Sequence, residues 1–106
     1  MQDLEGDSLP AGWDGYRNEP YSLCLFVTGT SPVSTRAISN LKKICDEHLA
    51  GRYELEIIDV YQQPLLVKKE NVTAVPMLIK KLPLPLKRIV GDLSDTEKVL
   101  KALGLT

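Results

Sequence analysis

Two prolines set two residues apart, Pro83 and Pro85, constrain the C-terminal part of this 106-residue chain more than any other feature. Each removes a backbone donor, fixes φ and biases the leucine before it toward extended backbone. Neither a regular helix nor a central strand therefore passes easily through residues 82–85, and a turn or loop is expected there. Two short apolar-basic runs flank it, Met77-Leu78-Ile79-Lys80-Lys81 and Leu86-Lys87-Arg88-Ile89-Val90, and Gly91-Asp92 then leads to a helix start at Ser94. Residues 76–97 thus read as a hairpin followed by a helix. The stretch is also the most basic of the chain, because Lys80, Lys81, Lys87 and Arg88 have no acid between Glu70 and Asp92. An acidic partner surface can be steered to such a patch, although lysines on an edge hairpin also serve simply to keep sheets apart.

The remaining segments follow from hydrophobic periodicity. Tyr21 to Thr28 is apolar on both faces, with Tyr21, Leu23, Leu25 and Val27 on one and Cys24 and Phe26 on the other, the pattern of a central strand. Gly29-Thr30 turns the chain, Ser31 is a suitable N-cap and Pro32 fits the first helical position. Ala37, Ile38, Leu41, Ile44, Cys45 and Leu49 then form one helical stripe, with Gly51 a good residue to end it. Tyr53 to Val60 is a second strand, which the right-handed crossover rule makes parallel to the first. A short amphipathic segment from Pro64 to Glu70 directs Leu65, Leu66 and Val67 inward. Ser94-Asp95-Thr96-Glu97 matches a capping box, and Val99, Leu100 and Leu103 form the last helical stripe before Gly104.

Length allows one core and one domain, residues 21–106, preceded by a flexible N-terminal arm, residues 1–20, with Trp13 and Tyr16 as candidate anchors. Charge divides unevenly: the arm holds five acids and one base, and the rest holds twelve bases against nine acids. A body so mildly basic, with few aromatics, does not read as a nucleic-acid binder. No apolar run is long enough for a membrane span and no secretory signal opens the sequence, so no membrane partner is expected and the cytoplasm is the expected compartment. Cys24 and Cys45 are too few and too far apart for a disulfide framework or structural zinc, and His48, the one histidine, reads as an ordinary helix-end residue. Neither cofactor nor metal is expected.

The order β-α-β-(α)-β-β-α is that of a thioredoxin-like α/β fold, in which a terminal antiparallel hairpin lies beside a parallel pair. Val75-Pro76 falls where such folds place a proline before the third strand. The redox chemistry is absent, because Thr28-Gly29-Thr30-Ser31-Pro32 stands where a C-x-x-C would lie, and dithiol exchange requires a thiolate and a resolving partner. A thioredoxin-like oxidoreductase and a nucleic-acid-binding domain are the alternative readings on this fold.

Leu25-Phe26-Val27-Thr28-Gly29-Thr30-Ser31-Pro32-Val33-Ser34-Thr35-Arg36-Ala37 resembles the first strand, turn and helix of the KaiB circadian clock proteins. Gly51 to Val60, Ala74-Val75-Pro76 and, above all, Leu82-Pro83-Leu84-Pro85-Leu86-Lys87-Arg88-Ile89-Val90-Gly91-Asp92-Leu93-Ser94 look like that family's signature. The resemblance implies a non-enzymatic regulator that binds the ring ATPase KaiC and changes its phosphorylation cycle, that in cyanobacteria helps sequester KaiA, and that competes with a sensor histidine kinase. It also implies two folds: a homotetrameric or dimeric resting state with a β-α-β-β-α-α-β arrangement, and a thioredoxin-like monomer that binds KaiC. Carried over by position, Arg36, Lys80, Lys87 and Arg88 are the partner-facing cations, and Pro76, Pro83, Pro85, Gly91 and Asp92 belong to the part that switches.

The chain also departs from the clock-type pattern. Leu55-Glu56 replaces Leu-Lys, Gln62-Gln63 replaces Lys-Asn, Thr28 and Ser31 replace Ala and Thr, and no acidic tail follows Leu105-Thr106. These departures weigh against KaiA as a partner. The expected role is work beside a KaiC-like ATPase in timing or stress adaptation.

Overall fold

A computed structural model describes residues 20–105. The expected N-terminal arm lies outside the described residues except for Pro20. Seven elements follow one another: β1 (Tyr21–Val27), α1 (Pro32–His48), β2 (Tyr53–Asp59), α2 (Pro64–Lys69), β3 (Met77–Leu82), β4 (Lys87–Val90) and α3 (Thr96–Leu103). The sheet order is β2-β1-β3-β4, with β1 parallel to β2 and β3 antiparallel to both β1 and β4. This is the thioredoxin-like order expected from the sequence, not the alternative arrangement of the C-terminal half.

The double-sided pattern of β1 places it centrally and gives the sheet two apolar faces. Tyr21, Leu23, Leu25 and Val27 pack with Leu41, Ile44 and Cys45 of α1 and with Val99 and Leu103 of α3. Cys24 and Phe26 face the other way and form a smaller core with Ile58, Met77 and Ile79. The two thiols consequently lie on opposite sides of the sheet, both free, which accounts for the absence of a disulfide between them. The Tyr21 hydroxyl donates to the Leu103 carbonyl at 2.8 Å and ties the end of α3 to the start of β1.

Ser31 caps α1, its hydroxyl accepting from the Ser34 N–H at 3.3 Å, and Pro32 occupies the first turn as expected. Three local expectations are corrected. The helix closes at His48 with Leu49 as its cap, so Gly51, at φ 72°, lies beyond the cap and turns the chain toward β2. In α2 only Leu66 and Val67 pack against the smaller core, and Leu65 is 82% exposed. A six-residue helix touches the sheet along one narrow line, and the next residue, rotated by about 100°, points to solvent. Ser94 does not open α3 with a capping box: Leu93 adopts φ 63°, and the Ser94 N–H is taken by Asp92 Oδ1 at 3.0 Å. Asp95 is the N-cap instead, accepting from the Lys98 N–H at 3.1 Å.

Candidate partner-binding surface

Register decides where the basic residues of the hairpin go. Lys80 stands opposite Lys87, and Leu78 opposite Ile89, so these four share the face covered by α1 and α3. Lys81 and Arg88 point to the reverse face. There Lys81 Nζ lies 2.7 Å from Glu70 Oε2, and Arg88 Nη1 donates to the Glu70 carbonyl at 2.7 Å. Glu70 is the C-cap of α2, so two of the four cations clip the end of that helix to the hairpin. The bond to Glu70 raises the Lys81 pKa. Its contribution to stability is therefore complete below the ordinary lysine pKa and is lost as pH rises through the raised value.

Lys80 behaves oppositely. It is 4% exposed, and its pKa is lowered first by burial and then by the charge of Lys87. No hydrogen bond or ion pair engages the ammonium of either lysine among the described residues. A buried cation beside a like charge is unfavourable unless it finds an anion. Lys80→Met, similar in length and able to fill the same space, is expected to raise the unfolding free energy by about 1 kcal/mol, measured by urea denaturation at neutral pH. In the parent protein the penalty is present below the lowered pKa and relieved as pH rises from there toward the ordinary lysine value. The stability difference between parent and Met variant should therefore shrink across that alkaline window and persist unchanged at acid pH.

Beyond β4 the chain is held at a junction. The Gly91 N–H donates to the Pro76 carbonyl at 3.0 Å. Arg36 Nε lies 3.3 Å from Asp92 Oδ2, and Asn40 Nδ2 donates to the Asp92 carbonyl at 2.8 Å, so two side chains of α1 grip the same residue. Hydrogen bonds from Ser94, with a further contribution from Arg36, lower the Asp92 pKa. That contribution to stability is present above the ordinary carboxyl pKa and lost as pH falls through the lowered value. Leu93, 4% exposed, inserts into the larger core immediately afterwards. At φ 123° Gly91 adopts backbone that L-residues rarely take, and a Cβ placed there would meet nothing within 4 Å. Gly91→Ala should therefore lose about 1–3 kcal/mol through backbone strain alone, read from thermal and chemical denaturation. An unchanged midpoint would contradict that assignment.

The candidate residues do not form one patch. Arg36 and Asp92 sit together at the end of the sheet where β1 finishes, whereas Lys80 and Lys87 sit at the opposite end of the same face, and Arg88 is on the reverse face. Pro76 is buried next to Met77, while Pro83 and Pro85 are in the β3–β4 turn. The peptide bonds preceding all three prolines are cis. The turn presents Leu82, Leu84 and Leu86 at 44%, 74% and 46% exposure.

Residues 24–105 match the family model described as the KaiB domain. The chain belongs to the KaiB family. It is 49% identical over 83 residues to the circadian clock protein KaiB3 of a Synechocystis species, covering 78% of this chain and 81% of that protein. It is 48% identical over 85 residues to the circadian clock oscillator protein KaiB of Synechococcus elongatus, covering 80% and 83%. Among solved structures, the N-terminal domain of Synechococcus elongatus SasA matches with a TM-score of 0.69 and 26% identity, covering 100% of this chain and 96% of that one. Yeast mitochondrial thioredoxin 3, with a TM-score of 0.63 at 20% identity, covering 84% and 88%, shares the fold alone.

Both cysteines of this chain are buried and free, on opposite faces of the sheet. Where a thioredoxin would carry its redox pair, Thr28, Ser31 and Ser34 form a hydroxyl cluster, with Oγ distances of 3.2 Å from Thr28 to Ser31 and 3.4 Å from Thr28 to Ser34. Burial raises the Cys24 pKa and pushes Cys45 up to about 11, so both remain thiols at neutral pH. No group of three or more His, Cys, Asp or Glu able to hold a metal occurs among the described residues, and none of their helices is long and apolar enough to cross a membrane. Sequence reasoning missed Glu70, Asn40 and Leu93. Glu70 lies at the end of a basic run and Asn40 four residues after Arg36 on α1, but their partners are distant in sequence and no local spacing reveals them.

Proposed function

We propose that this chain is a non-enzymatic regulator that binds a KaiC-type ATPase and alters its phosphorylation and hydrolysis cycle, in circadian timing or a related adaptation to stress. Family membership over residues 24–105 is the observation that carries the reading. The geometry supports it in a specific way. Lys87 is exposed, Lys80 beneath it adds an unneutralised charge to the same corner, and the leucines of the turn supply apolar contact beside them. An acidic rim around an apolar pocket on the ATPase would match that combination, with charge guiding encounter and the leucines supplying contact area. Arg36 and Arg88 are assigned supporting contacts at the opposite end of the sheet and on the reverse face. A sensor histidine kinase carrying a domain of this shape would compete for the same partner.

We further assign residues 61–104 to a segment that can leave the thioredoxin-like arrangement for a second one, with Pro76, Pro83, Pro85, Gly91 and Asp92 inside the moving part and a homotetramer or homodimer as the resting form. Two features support this: α2 has no buried residue, and the junction at Asp92 hangs on an exposed Arg36 contact and the Asn40 hydrogen bond. Such surface ion pairs stabilise by only about 0–1 kcal/mol. The test is to add the chain to a phosphorylated KaiC-type ATPase with ATP and follow phosphorylation over time. Altered phosphorylation kinetics at equimolar protein is the expected result, and identical time courses with and without the chain would remove the proposal.

A further inference from the structure

Lys80 is the last buried residue of β3 before the turn, where Lys81 is half-buried and Leu82 exposed. It stands between Leu23 of β1 and Lys87 of β4, on the face covered by α1 and α3. Residues directly opposite in a hairpin hold their Cβ atoms about 5 Å apart, so the two lysines share one corner. Neither amine has a hydrogen bond or an ion pair among the described residues. An apolar neighbour on one side and a cation on the other both favour a lysine in its neutral, nucleophilic form. Burial first, and then the charge of Lys87, accordingly lower the Lys80 pKa. Lys81, one residue on, is the opposite case, because Glu70 holds it as the ammonium.

We propose that Lys80 takes up carbon dioxide as a carbamate, with Lys87 as the counter-cation. A residue 4% exposed admits a small uncharged electrophile and excludes a bulky one. The ammonium first releases a proton to solvent. The Nζ lone pair then attacks the carbon of carbon dioxide, an N–C bond forms as one C–O π pair moves onto oxygen, and a second proton leaves Nζ for water. Nothing is oxidised or reduced. The side chain passes from cation to anion, so a buried repulsion between like charges becomes a charge-assisted contact with the Lys87 ammonium. Exposed lysines such as Lys42 and Lys43 gain no such relief, because water already solvates their ammonium groups. Uptake does not depend on the ATPase reading. If both hold, the adduct removes the charge of Lys80, engages that of Lys87 and makes the corner less attractive to an acidic partner.

The test exposes this chain, at mildly alkaline pH, to carbon-13-labelled bicarbonate in equilibrium with carbon dioxide, against chloride at equal ionic strength. The carbamate carbon is read by NMR, and its position is fixed by trapping the adduct as its ethyl ester with triethyloxonium and mapping peptides by mass. The expected result is an adduct on Lys80 at several-fold higher occupancy than on Lys42 or Lys43, with the resonance lost in Lys80→Met. Lys87→Gln should lower the occupancy several-fold, and Lys87→Arg, which keeps the cation, should restore it. Far-UV circular dichroism checks that each variant keeps the fold. Because the advantage of Lys80 exists in the folded chain alone, raising carbon dioxide should raise the melting temperature of the parent and leave that of Lys80→Met where it was. An unmodified Lys80 at saturating bicarbonate would overturn the proposal. So would an adduct shared equally with Lys42 and Lys43, or an occupancy indifferent to Lys87→Gln. Failure to bind an ATPase would leave both readouts unaffected.

Discussion

Phe26→Ala is expected to remove about 3–5 kcal/mol of unfolding free energy, enough to bring a domain of ordinary stability close to its folding limit. The size of the effect follows from how little else holds that side of the sheet. Phe26 is 0% exposed and pairs across the strands with Ile58 and Met77, and among the described residues its cluster contains five buried residues beneath a six-residue helix. With the ring gone, neighbours of that number cannot close the cavity, and α2 loses what Leu66 and Val67 pack against. Leu65→Ala, on the same helix but exposed, should change stability by no more than about 0.5 kcal/mol. Urea denaturation of the two variants side by side checks the claim. A loss below about 1 kcal/mol for Phe26→Ala would show that the smaller core is not what holds α2 to the sheet.

Lys87→Glu is expected to weaken association with a KaiC-type ATPase by tenfold or more while leaving the melting temperature nearly unchanged. Lys87 is exposed and makes no ion pair among the described residues, so the fold loses nothing when it is reversed. The partner, by contrast, would meet a repulsive charge where attraction steered it. The loss should appear mainly in the association rate and should shrink as salt is raised, because exposed charges are screened over about 10 Å at 0.1 M. Stopped-flow or anisotropy measurements at two ionic strengths distinguish this from a packing defect, which would raise the dissociation rate at any salt. Equal rates for parent and variant at low salt would remove Lys87 from the contact.

Most of the fold was legible because its elements have strong periods. β1 announces a central strand through apolar residues on both faces, α1 shows three- and four-residue spacing between a Ser-Pro start and a glycine beyond its end, and the two prolines leave a turn as the outcome for residues 82–85, although Leu82 itself still belongs to β3. The weaker inferences failed where geometry at long range decides. Six residues are too few for α2 to reveal which side faces the sheet, so its pattern does not distinguish the exposed Leu65 from Leu66 and Val67. The capping motif at Ser94 was overridden by Asp92, whose carboxylate takes the Ser94 N–H while Leu93 bends the chain into the core.

The basic patch is the most instructive case. Strand alternation separates Lys80 from Lys81 and Lys87 from Arg88, since the period is two, and the register of the hairpin then puts Lys80 on the face of Lys87. What no local pattern contains is that Glu70, eleven residues from Lys81, takes that lysine with its carboxylate and Arg88 with its main-chain carbonyl, while the other two cations have no anion among the described residues. Close together in sequence, the four residues do two different jobs. Lys81 and Arg88 fasten a helix, whereas Lys80 is buried and Lys87 exposed, neither with an anionic partner among the described residues.

Co-elution of this chain with a ring-shaped KaiC-type ATPase, with ATP and with ADP, tests the central claim most directly. The account predicts a complex in at least one nucleotide state, seen as a shift of this small protein into the ring's elution volume, and its loss on Lys87→Glu. Elution of the chain at its own volume in every nucleotide state, at concentrations well above micromolar, would contradict it.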